Sequence, residues 1–537
     1  MSPAFFPVVV VGAGPTGLTL ANLLGLQGIP TLLVEKNATT VQEPRAVSID
    51  DESLRTMQAV GLVSQVLQHV MTGYGSRYLD SARRCFLEVA PTQVIYGYPR
   101  RNAFRQPQLE GLLRTGLSRF EHVTTRFGWN LDRFAQNESE VALTHTDPQG
   151  ASQQVRCAWL VGCDGASSSI RSALGLNLEG ETFAERWLIV DLEDSPAPCR
   201  DTLVFCDVSR PCIALPGPDF TRRFEFKLRE HETSESVLAE GMVAKLLAAH
   251  GAAPKSRIVR KTVYTFHARI APAWKVGRVI LAGDACHLSP PFAGQGMNSG
   301  IRDAHNLAWK LAAVISGKLG PNLLETYEQE RKGHVREMIQ LALRMGRIMG
   351  PPSRLAGALT RLTFRTLGMW PPARDYFGQM KYKPKPRFRA GFQLGTRGPC
   401  AALVGRLIPQ PTVTTPEGDQ VLLDHVLGDG FSLLALTEDV KRFATAARTW
   451  AGIEVKLVVL KRDADPTRFD GLTVVVGDSS ALLGSVAPEV RELVLLVRPD
   501  RYVAAAFAVA HVAGAARDFE ALRAATWGEL RAVASIA

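Results

Sequence analysis

Short apolar runs, each closed by glycine or an acidic residue, set the pattern of the first three hundred positions. Residues 8–11 are four consecutive valines. A run without polar alternation predicts a strand covered on both faces, as in a parallel sheet. A helical spacing follows through residue 24, and residues 31–35 (TLLVE) read as a second strand ending at Glu35. A third apolar strand ends at Asp164-Gly165, with a short helix expected from residue 167, and a fourth ends at Gly283-Asp284. From about residue 298, Ile301, Ala304, Leu307, Ala308 and Leu311 recur at helical spacing.

Between residues 181 and 275 the pattern changes. Short apolar and polar runs alternate (WLIVDLE, TLVFCDV, CIALPGP, RRFEFKL, KTVYTFHAR), which predicts a mostly antiparallel sheet. Beyond residue 393, FSLLALT, EVKLVVL, LTVVVGD and ELVLLVRPDRYV lie between helical segments and predict another α/β unit. Residues 346–392 are basic and proline-rich. They read as a helix and a solvated linker, or as a basic amphipathic surface for a membrane or for the second subunit of a homodimer.

The first strand–helix–strand carries Gly12, Gly14 and Gly17 as GxGxxG, with Glu35 eighteen residues later and Lys36 beside it. The glycines serve a tight turn, close backbone approach to a pyrophosphate, and close helix–strand packing. The helix N-terminus favours phosphate, and the acid suits ribose hydroxyls. This predicts a dinucleotide site without separating NAD from FAD. Asp164 and Asp284 each sit just past a strand end, where open α/β sheets bind ligands. An acid there can hold a polyol chain, and FAD has one in its ribityl group where NAD has none. Pro290 and Pro291 stiffen the next loop. Gly294, Gly296 and Gly300 leave room for a flat ring, and Met297 and Asn298 open the following helix, whose dipole favours negative charge on a reduced flavin.

Composition narrows this picture. The chain has 537 residues, 46% of them hydrophobic, enough for two or three domains. A net charge of +10 suits an anionic cofactor or substrate. No basic stripe interleaved with aromatics suggests nucleic acid. Eight scattered cysteines form neither CxxC nor a zinc-spaced cluster, so no metal site is expected. No apolar run is long enough for a spanning helix, and a cytoplasmic protein is expected.

GxGxxG, then DG, then GD followed by PPFAGQGMNSG resembles the class A FAD-dependent aromatic monooxygenases. RAVSIDDESLRTMQAVGL, GIRDAHNLAWKLA and LVLLVRPDRYVAA resemble their 3-(3-hydroxyphenyl)propionate hydroxylase branch. The resemblance implies a Rossmann-like FAD-binding domain (1–75, 100–180 and 276–345) and an inserted, mostly antiparallel substrate-binding sheet domain (76–99 and 181–275). It also implies the 346–392 helix and linker, and a thioredoxin-like α/β C-terminal domain (393–537) lacking its redox CxxC. Arg45 matches the family arginine near pyrophosphate and flavin, and Gln106 the family glutamine that reaches the flavin. NADH or NADPH would reduce FAD, and molecular oxygen would form a C4a-hydroperoxyflavin that hydroxylates a small phenol.

A phenol needs a base, and Asp50, His267 and Tyr264 are candidates by type and segment. Asp50 could equally cap the helix that follows. A substrate carboxylate would want an arginine, and Arg210, Arg222, Arg223 and Arg269 lie in the sheet segments. Cys286 reads as a small filler, and His287 as a loop-packing or flavin-contacting residue. Two alternatives stand beside this reading: a tailoring hydroxylase of larger polycyclic aromatics, and a non-hydroxylating NAD(P)H oxidase or FAD-holding interaction protein. The WxWxIP stretch of flavin halogenases is absent.

Overall fold

The computed structural model describes residues 3–395, 399–469, 471–483 and 492–528. The chain divides into two compact units. The first comprises Met1–Gln93, Pro99–Ala304 and Val335–Pro384, and the second Val94–Tyr98, His305–His334 and Lys385–Ala537. Residues 484–491 and 529–537 of the C-terminal α/β segment lie outside the described residues.

The valine run becomes the centre of a parallel sheet in the first unit. Ala4–Val11 lies between Ser152–Gly162 and Thr31–Glu35, with Val279–Leu281 and Val123–Phe127 further out. Val8, Val9 and Val10 are buried, as the lack of alternation predicts. The helix Pro15–Leu26 starts with proline in its first turn, where a missing N–H costs nothing. Gly17 permits its close packing, since a Cβ there would lie 1.9 Å from the Gly12 carbonyl oxygen.

A second eight-stranded sheet also belongs to this unit. Its order is His287–Leu288, Arg257–Ile270, Glu179–Glu193, Arg222–Lys227, Cys212–Pro216, Thr202–Phe205, Ser76–Leu79, Cys85–Val89. Every pairing is antiparallel except Thr202–Phe205 with Ser76–Leu79. Period-two alternation serves both faces. Leu188, Val190 and Phe224 pack with Val243, Leu246 and Leu247 of the helix Glu240–Ala249. Trp187, Ile189 and Ile213 pack on the opposite face with Met338, Leu341, Met345 and Met349.

The 346–392 stretch, expected to be a helix and then a solvated linker, holds more structure after its first helix than that expectation. It forms two helices, Arg354–Gly368 and Pro371–Gly378. Met380 and Tyr382 then pack against the sheet's second face, and Lys383 is nearly buried. Apolar content at 377–382 (FGQMKY) is too irregular to show a period, so sequence spacing concealed this packing. Leu355, Leu359 and Leu362 of the first helix stay exposed.

The second unit holds a sheet in which Leu472–Gly477, Val455–Lys461 and Phe431–Leu436 are parallel, while Leu493–Val497 and Val503–Ala508 continue it antiparallel. Leu433, Val459 and Val494 pack on one face with Trp450 and Phe519. Leu434, Val458 and Leu495 face the other core. Arg498 is buried here, its guanidinium forked onto Glu330 at 2.7 and 2.8 Å and bonded to Asp500 at 2.6 Å. No described helix is long and apolar enough to cross a membrane.

Candidate active site

A cavity of about 530 Å³ lies within the first unit. Gly14, Arg45, Gln106, Asp284, Pro291, Gly294, Gly296 and Met297 line one part of it. Tyr78, Ile213, Leu215 and Phe266 of the second sheet line the rest, with Phe292 of the Pro291–Ala293 turn and Met345 and Met349 of the helix Glu325–Met349. Residues predicted from separate motifs therefore meet at one place.

The glycines divide by role. Gly12 has φ +106, and a Cβ would meet the Cys163 carbonyl oxygen at 2.3 Å. A Cβ on Gly283 or Gly300 would strike Thr16. These are packing positions. Gly14 and Gly296 have nothing within 4 Å of an ideal Cβ and face the cavity. Gly296 also begins the twenty-residue helix Gly296–Ile315, so its N-terminal amides face the same space. Gly294 adopts the left-handed conformation, φ +61, which ends the Pro291–Ala293 turn.

The acidic residues differ as well. Glu35 Oε2 accepts from the Ala13 amide at 2.8 Å and so fixes the glycine turn; Lys36 is exposed beside it. Asp164 Oδ2 accepts from the Ile170 amide at 3.1 Å, while its buried Oδ1 has no partner among the described residues. Gly165 and Ala166 line the cavity next to it. Asp284 opens directly into the cavity, and surrounding protein raises its pKa, with His287 and Arg45 opposing.

Two predicted site residues, Asn298 and Gln106, are held in fastening hydrogen bonds, and His287 packs its loop. Asn298 is fully buried and uses its whole amide. Its Oδ1 accepts from the Asp50 amide at 3.1 Å and Ser53 Oγ at 2.7 Å, and its Nδ2 donates to the Ser48 and Gly294 carbonyls at 3.1 and 2.7 Å. Gln106 lines the cavity, but its Oε1 accepts from the Ala46 amide at 2.6 Å and its Nε2 donates to Glu110 at 2.7 Å. His287 Nε2 lies 2.7 Å from Asp303 Oδ2, and Asp303 also accepts from the Gly283 amide at 3.1 Å. With Cys286 buried beside it, the pair holds the Gly283–Asp284 turn.

Asp50, His267 and Tyr264 all line the cavity. Asp50 caps the helix Asp51–Val60, its Oδ1 accepting from the Ser53 amide at 3.0 Å. Its Oδ2 is paired with Arg302 and with Lys383. Burial opposes its charge, but Arg302 and Lys383 overcome that and hold its carboxyl well below the usual range. Burial, helped by Arg269, lowers the His267 pKa, and its Nδ1 meets Thr182 Oγ1 at 3.1 Å. The Tyr264 hydroxyl accepts from Arg260 at 2.6 Å.

The predicted arginines do not gather. Arg210 is ion-paired with Glu232 and lies off the cavity lining. Arg269 does not line it either. Arg222 donates to the Gly251 carbonyl at 2.8 Å. Arg223 reaches the lining but is committed to Asp191 at 2.6 Å and to the carbonyls of Pro44 and Arg45. It positions the loop that carries Arg45. Sequence reasoning missed Arg101, Tyr78, Tyr382 and Lys383, all of which line the cavity. The tandem Arg100-Arg101 within an aromatic stretch (YGYPRRN) was the available signal.

Residues 6–342 match the family model described as FAD binding domain, and residues 405–522 match the HcaD C-terminal domain. The chain is 39% identical to 3-(3-hydroxy-phenyl)propionate/3-hydroxycinnamic acid hydroxylase of Mycolicibacterium smegmatis, covering 94% of this chain and 91% of that one. The chain belongs to the FAD-dependent aromatic monooxygenases. A protein of the same description from Klebsiella pneumoniae is also 39% identical, over 93% of this monooxygenase and 91% of its own length. The fold of the flavin-dependent monooxygenase PieE, solved with FAD and substrate, superposes with a TM-score of 0.80 at 22% identity, covering 97% of this chain and all of that one. The groups around the cavity fit FAD. Gly14 and Gly296 leave open cradles, Asp164 has a free buried oxygen, and Asp284 faces inward.

Proposed function

We propose that this monooxygenase hydroxylates a small, carboxylated phenol resembling 3-(3-hydroxyphenyl)propionate. The observation that carries the reading is that the glycine and aspartate motifs open into the same cavity as a chamber walled by Tyr78, Phe266, Phe292, Met345 and Met349. The 39% identity to hydroxylases of such phenols supports the substrate class.

FAD would lie along Gly14, Arg45, Asp284 and Gly296, with Glu35 and Asp164 at its ribose and ribityl ends. When bound, it would take electrons from NADH or NADPH and activate molecular oxygen for transfer of one atom to the ring. The protein's part is positioning and exclusion of water. The apolar wall keeps water from the reacting face, which limits loss of oxygen as peroxide. Arg45 and the Gly296 amides would stabilise negative charge. His267 is the base this reading favours, because a lowered pKa keeps the imidazole neutral and able to accept the phenol proton near pH 7. Asp50, already paired with two cations, serves the scaffold. The C-terminal unit acts as a thioredoxin-like scaffold, since Cys400 has no CxxC partner. The free thiols suit a reducing, cytoplasmic compartment.

The test is product mass from purified protein with FAD, NADH, oxygen and 3-(3-hydroxyphenyl)propionate. The expected product is heavier by one oxygen atom. NADH consumption with only peroxide formed, for this and other carboxylated phenols, would overturn the reading in favour of an oxidase. Turnover of polycyclic aromatics alone would favour a tailoring enzyme.

A further inference from the structure

The arginines expected to meet a substrate carboxylate are paired or off the cavity, yet Arg101 in the lining has no acidic partner among the described residues, while the neighbouring Arg100 donates to the Gln379 carbonyl and acts on Asp51. Arg101 lines the chamber beside Tyr74, Ser76, Tyr78 and Tyr382. Its guanidinium carbon lies 4.4 Å over the Tyr74 ring, and its Nη1 donates to Ser76 Oγ. Among the described residues no carboxylate pairs with it, and the groups acting on it are Tyr74, Tyr78 and Tyr382. By contrast, Arg223, Arg260 and Lys383 in the same lining all have acidic partners. Arg45 acts instead on Asp284 and Glu110, at the glycine end of the cavity.

A second observation points to a ligand at the same place. Thr202 lies in register with Ser76 on the adjacent parallel strand and also lines the cavity. It is only 2% exposed, and its Oγ1 has no hydrogen-bond partner among the described residues. A buried, unpaired hydroxyl next to an unpaired guanidinium is costly unless something supplies an acceptor. A carboxylate satisfies both. It can take parallel N–H donors from arginine and a third hydrogen bond from the hydroxyl.

We propose that Arg101, with Thr202, is the subsite for the substrate's side-chain carboxylate. The assignment rests on the function proposed above. The flat Tyr74 ring under the guanidinium fixes its plane, and Ser76 fixes its rotation, so the fork is ordered before substrate arrives.

The experiment compares 3-(3-hydroxyphenyl)propionate with the uncharged 3-ethylphenol on holoenzyme, for wild type, Arg101→Gln, Arg101→Lys and Thr202→Val. FAD content and Tm are measured for each. Expected for Arg101→Gln is a KM for the acid raised by at least about 30-fold, the effect of removing one member of a buried charge pair. KM for 3-ethylphenol stays within about twofold and FAD content is unchanged. Arg101→Lys recovers part of the loss, because it keeps the charge and loses the fork. Thr202→Val raises KM for the acid by about fivefold to tenfold, the value of one hydrogen bond. Equal losses for both phenols would overturn the subsite and leave Arg101 a scaffold residue, and so would an unchanged KM for the acid. Failure of the wild type to convert the acid while it converts 3-ethylphenol would overturn the carboxylated-phenol reading itself. The two failures are thus distinguishable.

Discussion

Lys383 Nζ lies 3.0 Å from Asp50 Oδ2, and it also lies 3.1 Å from Glu52 Oε1. A residue from a basic, proline-rich stretch therefore neutralises the acidic start of a helix more than three hundred positions earlier. With Arg302 on the same carboxylate, Asp50 stays charged across the whole working pH range. Asp50→Ala removes the helix cap and one of the two carboxylates shared by the buried Arg302 and Lys383, leaving both cations on Glu52. The expected cost is about 3–5 kcal/mol of stability, seen as a lower Tm. The pH profile of kcat for the surviving folded enzyme keeps its limbs. A lost limb would return Asp50 to the role of phenol base.

Gly14 and Gly17 stand three residues apart and make opposite predictions. Gly17→Ala places a methyl 1.9 Å from the Gly12 carbonyl oxygen, with only backbone to yield. It should cost about 3 kcal/mol or more and yield little folded protein. Gly14→Ala meets nothing within 4 Å, and its extended φ of −78° suits any residue. The folded protein should form with wild-type Tm as the apoprotein but retain less FAD after gel filtration. Full FAD occupancy in Gly14→Ala would move the pyrophosphate elsewhere.

Asp284→Ala tests the other wall. Its carboxylate faces the cavity, and no described side chain donates to it, so its loss leaves the fold intact. FAD affinity should fall by about tenfold to a hundredfold, the value of hydrogen bonds to a charged group. Fluorescence titration of the apoprotein measures it. Unchanged affinity would count against a ribityl contact.

The parallel sheet and its glycine turns were readable because each local signal has one physical meaning. Four valines without alternation need two covered faces, and Gly17 has no room for a side chain. The antiparallel sheet was readable from its period of two. What stayed hidden was long-range pairing. Arg210 and Arg223 were reasonable carboxylate ligands by type, but Glu232 and Asp191 had already claimed them, and no spacing announces that. Asn298 sits in a flavin motif, yet its four hydrogen bonds hold residues 48–53 against the glycine loop. Lys383 could be placed only by the tertiary fold.

Glu110 offers a pH test that separates fold from catalysis. Burial pushes its carboxyl up to about 7, while Gln106 and the Val41 amide at 3.2 Å hold it in place. Its ordinary value is 4.5, so the folded protein binds this proton more tightly than the unfolded chain. Stability from this group is greatest below about pH 4.5 and declines as pH rises through 7, where the loss is complete. The difference is on the order of 3 kcal/mol. Glu110→Gln removes the titration and keeps an acceptor for Gln106. Its Tm should therefore equal or trail that of wild type near pH 5 and exceed it at pH 8. Parallel Tm curves for the two proteins from pH 5 to 8 would show that Glu110 is already ionised in the fold.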